Sequence, residues 1–114
     1  MHRSSPLALL VLATFLAPAA QAACEYPANV TIPEGKSASQ EEITAASAAV
    51  KKYLADMEAY TACLDAEVAA GPVEQQTPDV KAMHVKRYNA AVDAMEITAN
   101  AFNEQLRAFK ATKK

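Results

Sequence analysis

Residues 39–70 read SQEEITAASAAVKKYLADMEAYTACLDAEVAA, with neither glycine nor proline, and GPVEQQTP follows at 71–78. Ile43, Val50, Met57 and Leu64 recur every seven residues, and Ala46, Tyr53 and Tyr60 follow the first three of them at a distance of three. One face of a helix is therefore apolar along the whole stretch, and only Glu67 breaks its second row. Ser37-x-x-Gln40 and Ser39-x-x-Glu42 are overlapping capping boxes for its start, Glu41 and Glu42 suit the positive end of the helix dipole, and Gly71-Pro72 ends it. Past the break, Thr77 reads as an N-cap, with Pro78 at the first helical position and Asp79 in the first turn. No further breaker follows. This second stretch sets Val85, Val92, Ala99 and Leu106 on one row and Tyr88, Met95, Phe102 and Phe109 on another, with Lys110, Lys113 and Lys114 at the carboxyl end.

The spacing predicts helices over 39–70 and 78–111, each ~50 Å long, and the short connection makes them antiparallel neighbours. The expected fold is all-α, an αα-hairpin within 37–114. Folding the chain about Glu74 sets Tyr60 near Tyr88, Tyr53 near Met95, Val50 near Ala99 and Ala46 near Phe102, large against small or flexible in most layers. A second stripe, Ala90, Ala94, Ile97 and Ala101, lies away from this seam. It can hold the amino-terminal segment, pack against another copy to complete a four-helix bundle, or stand as an alanine-rich surface.

Working outward toward the amino terminus, Pro27, Pro33 and Gly35 mark 23–36 as an extended strap. Residues 1–22 read as a secretory signal: His2 and Arg3 open it, 7–16 are largely apolar, and Ala20-Gln21-Ala22 is a small-x-small cleavage site. The apolar run falls short of the ~20 residues of a spanning helix and Pro18 interrupts it, so no transmembrane anchor is expected. Cys24 just past the cleavage site raises lipidation, against which Gln21-Ala22-Ala23 offers no aliphatic residue at the usual place. The exported chain, periplasmic or secreted, then holds one pair of cysteines, Cys24 and Cys63, and an oxidising compartment favours a disulfide over two free thiols. Cys63 lies ~36 Å along the first helix, and the residues before that helix reach ~40 Å when extended, so an intramolecular bridge needs the strap to run back along the helix. Tyr26, Val30 and Ile32 are its candidate apolar contacts.

Composition narrows function without naming it. The 114 residues include 27 alanines and only 6% aromatics, a composition for close helix packing rather than for a deep pocket. The net charge is -2, or -3 once Arg3 leaves with the leader, so no cationic surface for nucleic acid is expected. His84, Met83, Met57 and Met95 raise a soft-metal site, but the methionines at 57 and 95 fall on the seam as apolar fillers and no metal-ligand spacing is present. Asp56, Glu58, Asp65, Glu67, Asp93, Glu96 and Glu104 mostly project toward water on a helical hairpin, which offers no cleft to perturb an acid–base pair. Tyr53, Tyr60 and Tyr88 read as core rather than as a binding stripe, and Arg107, Lys110, Lys113 and Lys114 as a helix terminus rather than a docking patch. No catalytic, cofactor or metal residue is assigned, and the chain is read as no enzyme.

Glu41-Glu42-Ile43, Val50-Lys51-Lys52-Tyr53, Met57, Tyr60 and Cys63-Leu64-Asp65, after Cys24 and Ile32-Pro33-Glu34-Gly35, form a pattern that resembles an uncharacterised family of small exported helical proteins of proteobacteria. The resemblance covers the strap and the first helix. It implies a periplasmic or secreted bacterial protein and brings no activity or site residue with it. The function expected is binding or assembly with a protein partner, a homodimer among the possibilities, and the alternative is a small periplasmic carrier of a metal ion or small ligand.

Overall fold

The computed structural model describes residues 24–113, and the expected leader at 1–22 lies outside them. Two helices, α1 (Gln40–Ala70) and α2 (Pro78–Thr112), pack as a hairpin, joined through a short 3-10 turn at Val73–Gln75. Of the two capping boxes available, Ser39 is the one used. Its Oγ accepts from the Glu42 N–H at 3.1 Å and Glu42 Oε2 accepts from the Ser39 N–H at 2.8 Å, so two orphan donors are satisfied reciprocally. At the other end, Gln76 Nε2 donates to the carbonyls of Val68 at 3.3 Å and Gly71 at 3.2 Å, closing the carboxyl terminus of α1. Thr77 caps α2 through the Val80 N–H at 3.3 Å, with Pro78 opening the helix.

A disulfide between Cys24 and Cys63, with Cα atoms 5.7 Å apart, ties the strap to α1. From that bridge the strap runs against the direction of α1. Tyr26 packs edge-on to Tyr60 with ring centroids 5.1 Å apart, Val30 packs against both core clusters, and Ile32 packs against the second. The strap ends at Gly35, whose N–H donates to Gln105 Oε1 at 2.8 Å on α2, and the chain then turns over Glu34 into α1. Gly35 is buried, and a Cβ there would lie 2.8 Å from the Gln105 carbonyl carbon and 2.9 Å from the Phe109 nitrogen. Only a residue without a side chain admits this approach of two backbones. Sequence alone marked Gly35 as a breaker; the structure makes it the contact that seats the strap on α2.

The core has two clusters. Tyr53, Met57, Tyr60, Leu64 and Ala91 form one, with Met95 packed against it, and Ala46, Val50 and Phe102 form the other. Ala46 and Phe102 thus share one cluster, and Met95 packs against the cluster that holds Tyr53, in keeping with the expected register. Tyr60 instead takes the strap's Tyr26 as its aromatic neighbour, and Tyr88 takes His84.

One row of α2 differs from expectation. Met95, Phe102 and Phe109 line the seam and Leu106 packs against the second cluster as expected, but toward the turn the buried residue is Ala91, one place before the half-buried Val92. Val85 is 54% exposed, whereas Ala91 is fully buried. The physical cause is volume. The large side chains of α1, Met57 and Leu64 at 0% exposure, fill the seam, so α2 approaches on a small residue and Val85 turns outward.

Candidate functional site

The two helices are unequally covered. Eight of the 31 residues of α1 are buried, against three of the 35 of α2, Ala91, Phe102 and Phe109. α1 packs against α2 and is bonded to the strap at Cys63, while much of α2 stays exposed. Its outer face carries Val80, Met83, Arg87, Ala90, Ala94, Ile97 and Ala101, spaced alternately by three and four residues. That spacing keeps them on one stripe, rotated about 100° from the seam. Ile97 is 69% exposed, Met83 55% and Val80 43%. The strap does not cover them, although Ala94 packs against the core and Ala101 is half-buried.

The stripe begins at the turn end, where the core stops. Beyond Leu64 on α1 and before Ala91 on α2 no residue is buried. Polar contacts join the helices there instead. His84 Nε2 lies 3.0 Å from Asp65 Oδ1, and Arg87 Nη1 donates to Glu67 Oε2 at 3.3 Å. Between the helices a cleft of about 300 Å³ opens, walled by Val68, Val80 and Met83, with His84, Arg87 and Glu67 beside it. The carboxylates Asp65 and Glu67 therefore reach across to α2 rather than project only into water. Val80, Met83 and Arg87 belong to both features, since they line the cleft and lie on the stripe.

The other side chains weighed for chemistry fall elsewhere. Tyr53 and Tyr60 are core, Met57 is sealed in the seam, and Met95 packs against the same cluster. Lys113 sits 4.5 Å over the Phe109 ring and donates to Gln40 Oε1 at 3.2 Å, fastening the end of α2 to the start of α1. Asp56 pairs with Lys52 on the exposed side of α1. Among the described residues, no three of His, Cys, Asp and Glu are placed to hold a metal ion, and no helix is long and apolar enough to cross a membrane. The uncovered stripe was legible in part, through Ala90, Ala94, Ile97 and Ala101. Its extension to Val80 and Met83 was not, because it depends on where the core ends. Compared with known proteins, the chain matches no family model, no curated protein and no solved structure.

Proposed function

We propose that this chain is an exported, non-enzymatic helical protein that works by binding or assembling with another protein through the outer face of α2. The observation that carries this reading is the inequality of burial between the helices: α2 keeps Val80, Met83 and Ile97 exposed along one face. Large apolar side chains left exposed along one helix face support an interaction surface. Export is supported by the leader-like residues 1–22, by the resemblance to small exported proteobacterial proteins, and by a closed disulfide, which suits an oxidising compartment.

The test is site-specific photocrosslinking in the native cell, with a benzophenone amino acid in place of Ile97 or Met83 and, as control, of exposed Ala48 on α1. Adducts of one defined composition at 97 and 83, absent at 48, are expected. Equal adducts at all three sites, or none, overturn the reading. Fractionation checks export, which a full-length, reduced chain confined to the cytoplasm would contradict.

The turn-end cleft favours a second reading, a small carrier, because apolar walls stand beside the polar heads of His84 and Arg87. Native mass spectrometry of the protein from its own compartment separates the two. A stoichiometric extra mass, lost in Met83→Glu, supports a carrier; a bare chain two hydrogens below the reduced mass supports the interaction protein.

A further inference from the structure

We propose that the partner of the α2 stripe is a second copy of this chain, with the two α2 helices antiparallel about a twofold axis passing between Tyr88 and Asn89. The inference deepens the reading above and rests on the same face. Alternate spacings of three and four residues over ~32 Å, from Val80 to Ala101, are the footprint of another helix, since a helical partner is what matches a helical repeat over such a length. The stripe is self-complementary in one antiparallel register. Val80 then faces Ile97 of the other copy, Met83 faces Ala94, and Arg87 faces Ala90, so the two large pairs pack and the small residues receive the long ones.

Charge selects the same register. Lys86 and Asp93 flank the stripe one heptad apart on one side, both exposed and, among the described residues, neither in an ion pair. In the proposed register Lys86 of each copy meets Asp93 of the other, and the symmetry makes this contact twice. A parallel pairing in register puts this flank of the two copies on opposite edges of the interface, so Lys86 and Asp93 never meet. Sliding the antiparallel pair by one heptad sets either Lys86 on Lys86 or Asp93 on Asp93, and in the latter case also faces Ile97 with Arg87 and Val80 with Glu104. Like charges placed so near one another disfavour the wrong registers.

Sedimentation equilibrium of the oxidised chain tests this at low salt. A monomer–dimer equilibrium is expected. Ile97→Glu abolishes the dimer while leaving the thermal melt of the monomer in place, because the side chain lies in water. Lys86→Glu and Asp93→Lys each weaken the dimer about tenfold, two symmetric pairs acting together, and the double charge swap restores it. A chain that stays monomeric at millimolar concentration overturns the self-pairing, and so does a dimer indifferent to Ile97→Glu. A dimer that Ile97→Glu abolishes but the charge swaps leave unchanged overturns the register and its axis. Photocrosslinks from Ile97 to a different protein, with a monomeric chain, refute this inference and leave the interaction reading standing, so the two fail separately.

Discussion

Gly35→Ala and Gly71→Ala are the same substitution with opposite expected signs. At Gly35 the new methyl points into the backbone of α2, with the Gln105 carbonyl carbon at 2.8 Å and the Phe109 nitrogen at 2.9 Å. Those atoms belong to a helix and cannot rotate aside. The strap must lift instead, which lengthens the Gly35 N–H to Gln105 Oε1 bond and loosens the cover over Phe109, now 5% exposed. Overpacking of this kind costs ~1–3 kcal/mol and the lost hydrogen bond ~1 kcal/mol, from which the alanine's stiffer unfolded chain returns ~0.5 kcal/mol. The net is ~2–3 kcal/mol, a drop in Tm of roughly 10–20 °C for a domain of this size. At Gly71 the backbone is extended, with φ of -68° and ψ of 146°, and a Cβ would meet Val68 O at 3.4 Å, an ordinary contact. Gly71→Ala is therefore expected to be neutral or to stabilise by ~0.5 kcal/mol. Thermal melts followed by far-UV circular dichroism, on oxidised protein for both variants, decide the matter. Gly35→Ala melting within 3 °C of the parent would refute the strap's seat on α2, and so the path assigned to residues 24–36 (threshold about half the shift per kcal/mol).

Three further outcomes follow from the packing. Cys63→Ser opens a loop with a sequence separation of 39 residues and should lower stability by ~3–4 kcal/mol in the chain-entropy account, with reduction of the parent reproducing the loss; an unchanged melt in either case counts against the bridge as a stabilising tie. Met57→Ala, at a fully sealed position, should cost ~2–5 kcal/mol, while Val85→Ala, at 54% exposure, should stay within ~0.5 kcal/mol; comparable losses would place Val85 in the seam and refute its outward position. Partial burial, then the charge and hydrogen bonding of Tyr53, then the charge of Tyr60, push the Tyr26 hydroxyl above the ordinary 10.0. The folded state thus holds this proton more tightly than the unfolded one, so the stabilisation is complete below pH 10.0 and is lost as pH rises through the folded value. Melting at a series of pH values from 8 upward should show a shallower alkaline decline for Tyr26→Phe than for the parent, and parallel declines would contradict the assignment.

Much of this fold could be read from particular residues. The absence of breakers in 39–70, the Gly71-Pro72 stop and the Thr77-Pro78 start define two helices because each acts on the backbone locally, through φ restriction and capping donors. The disulfide was legible from the reach of the strap. The burial of Ala91 was not, because Val85 and Val92 look more core-like than an alanine, while Leu106 on the same row does pack against the core. Apolar character identifies what prefers burial, but which face is buried depends on the volume that α1 already supplies through Met57, Tyr60 and Leu64. The breaker at Gly35 was read correctly, but its contact with α2 was not visible, because a glycine needed for close approach to another element carries the same letter as one that ends an element. For the candidate site, Ile97 and its alanines stood out by spacing, whereas the cleft depends on the core ending at Leu64, a fact about three dimensions.

The strap explains why the exposed surface lies where it does. It is bonded to α1 at Cys63 and hydrogen-bonded to α2 at Gln105, so it bridges the helices along the half of the hairpin that holds the core. Toward the turn its covering ends, and the helices rely on Asp65 with His84, Glu67 with Arg87, and the Gln76 amide. Exposed or half-exposed pairs of this kind contribute little, in the range of ~0–1 kcal/mol each. The turn end is therefore the least stabilised part of the hairpin, and it is also where Val80 and Met83 remain in water. A second helix laid along the stripe would cover those two residues and brace the segment that the chain's own core leaves unsupported. Binding and completion of the fold would then be the same event at the turn end, while the strap-covered half stands without a partner.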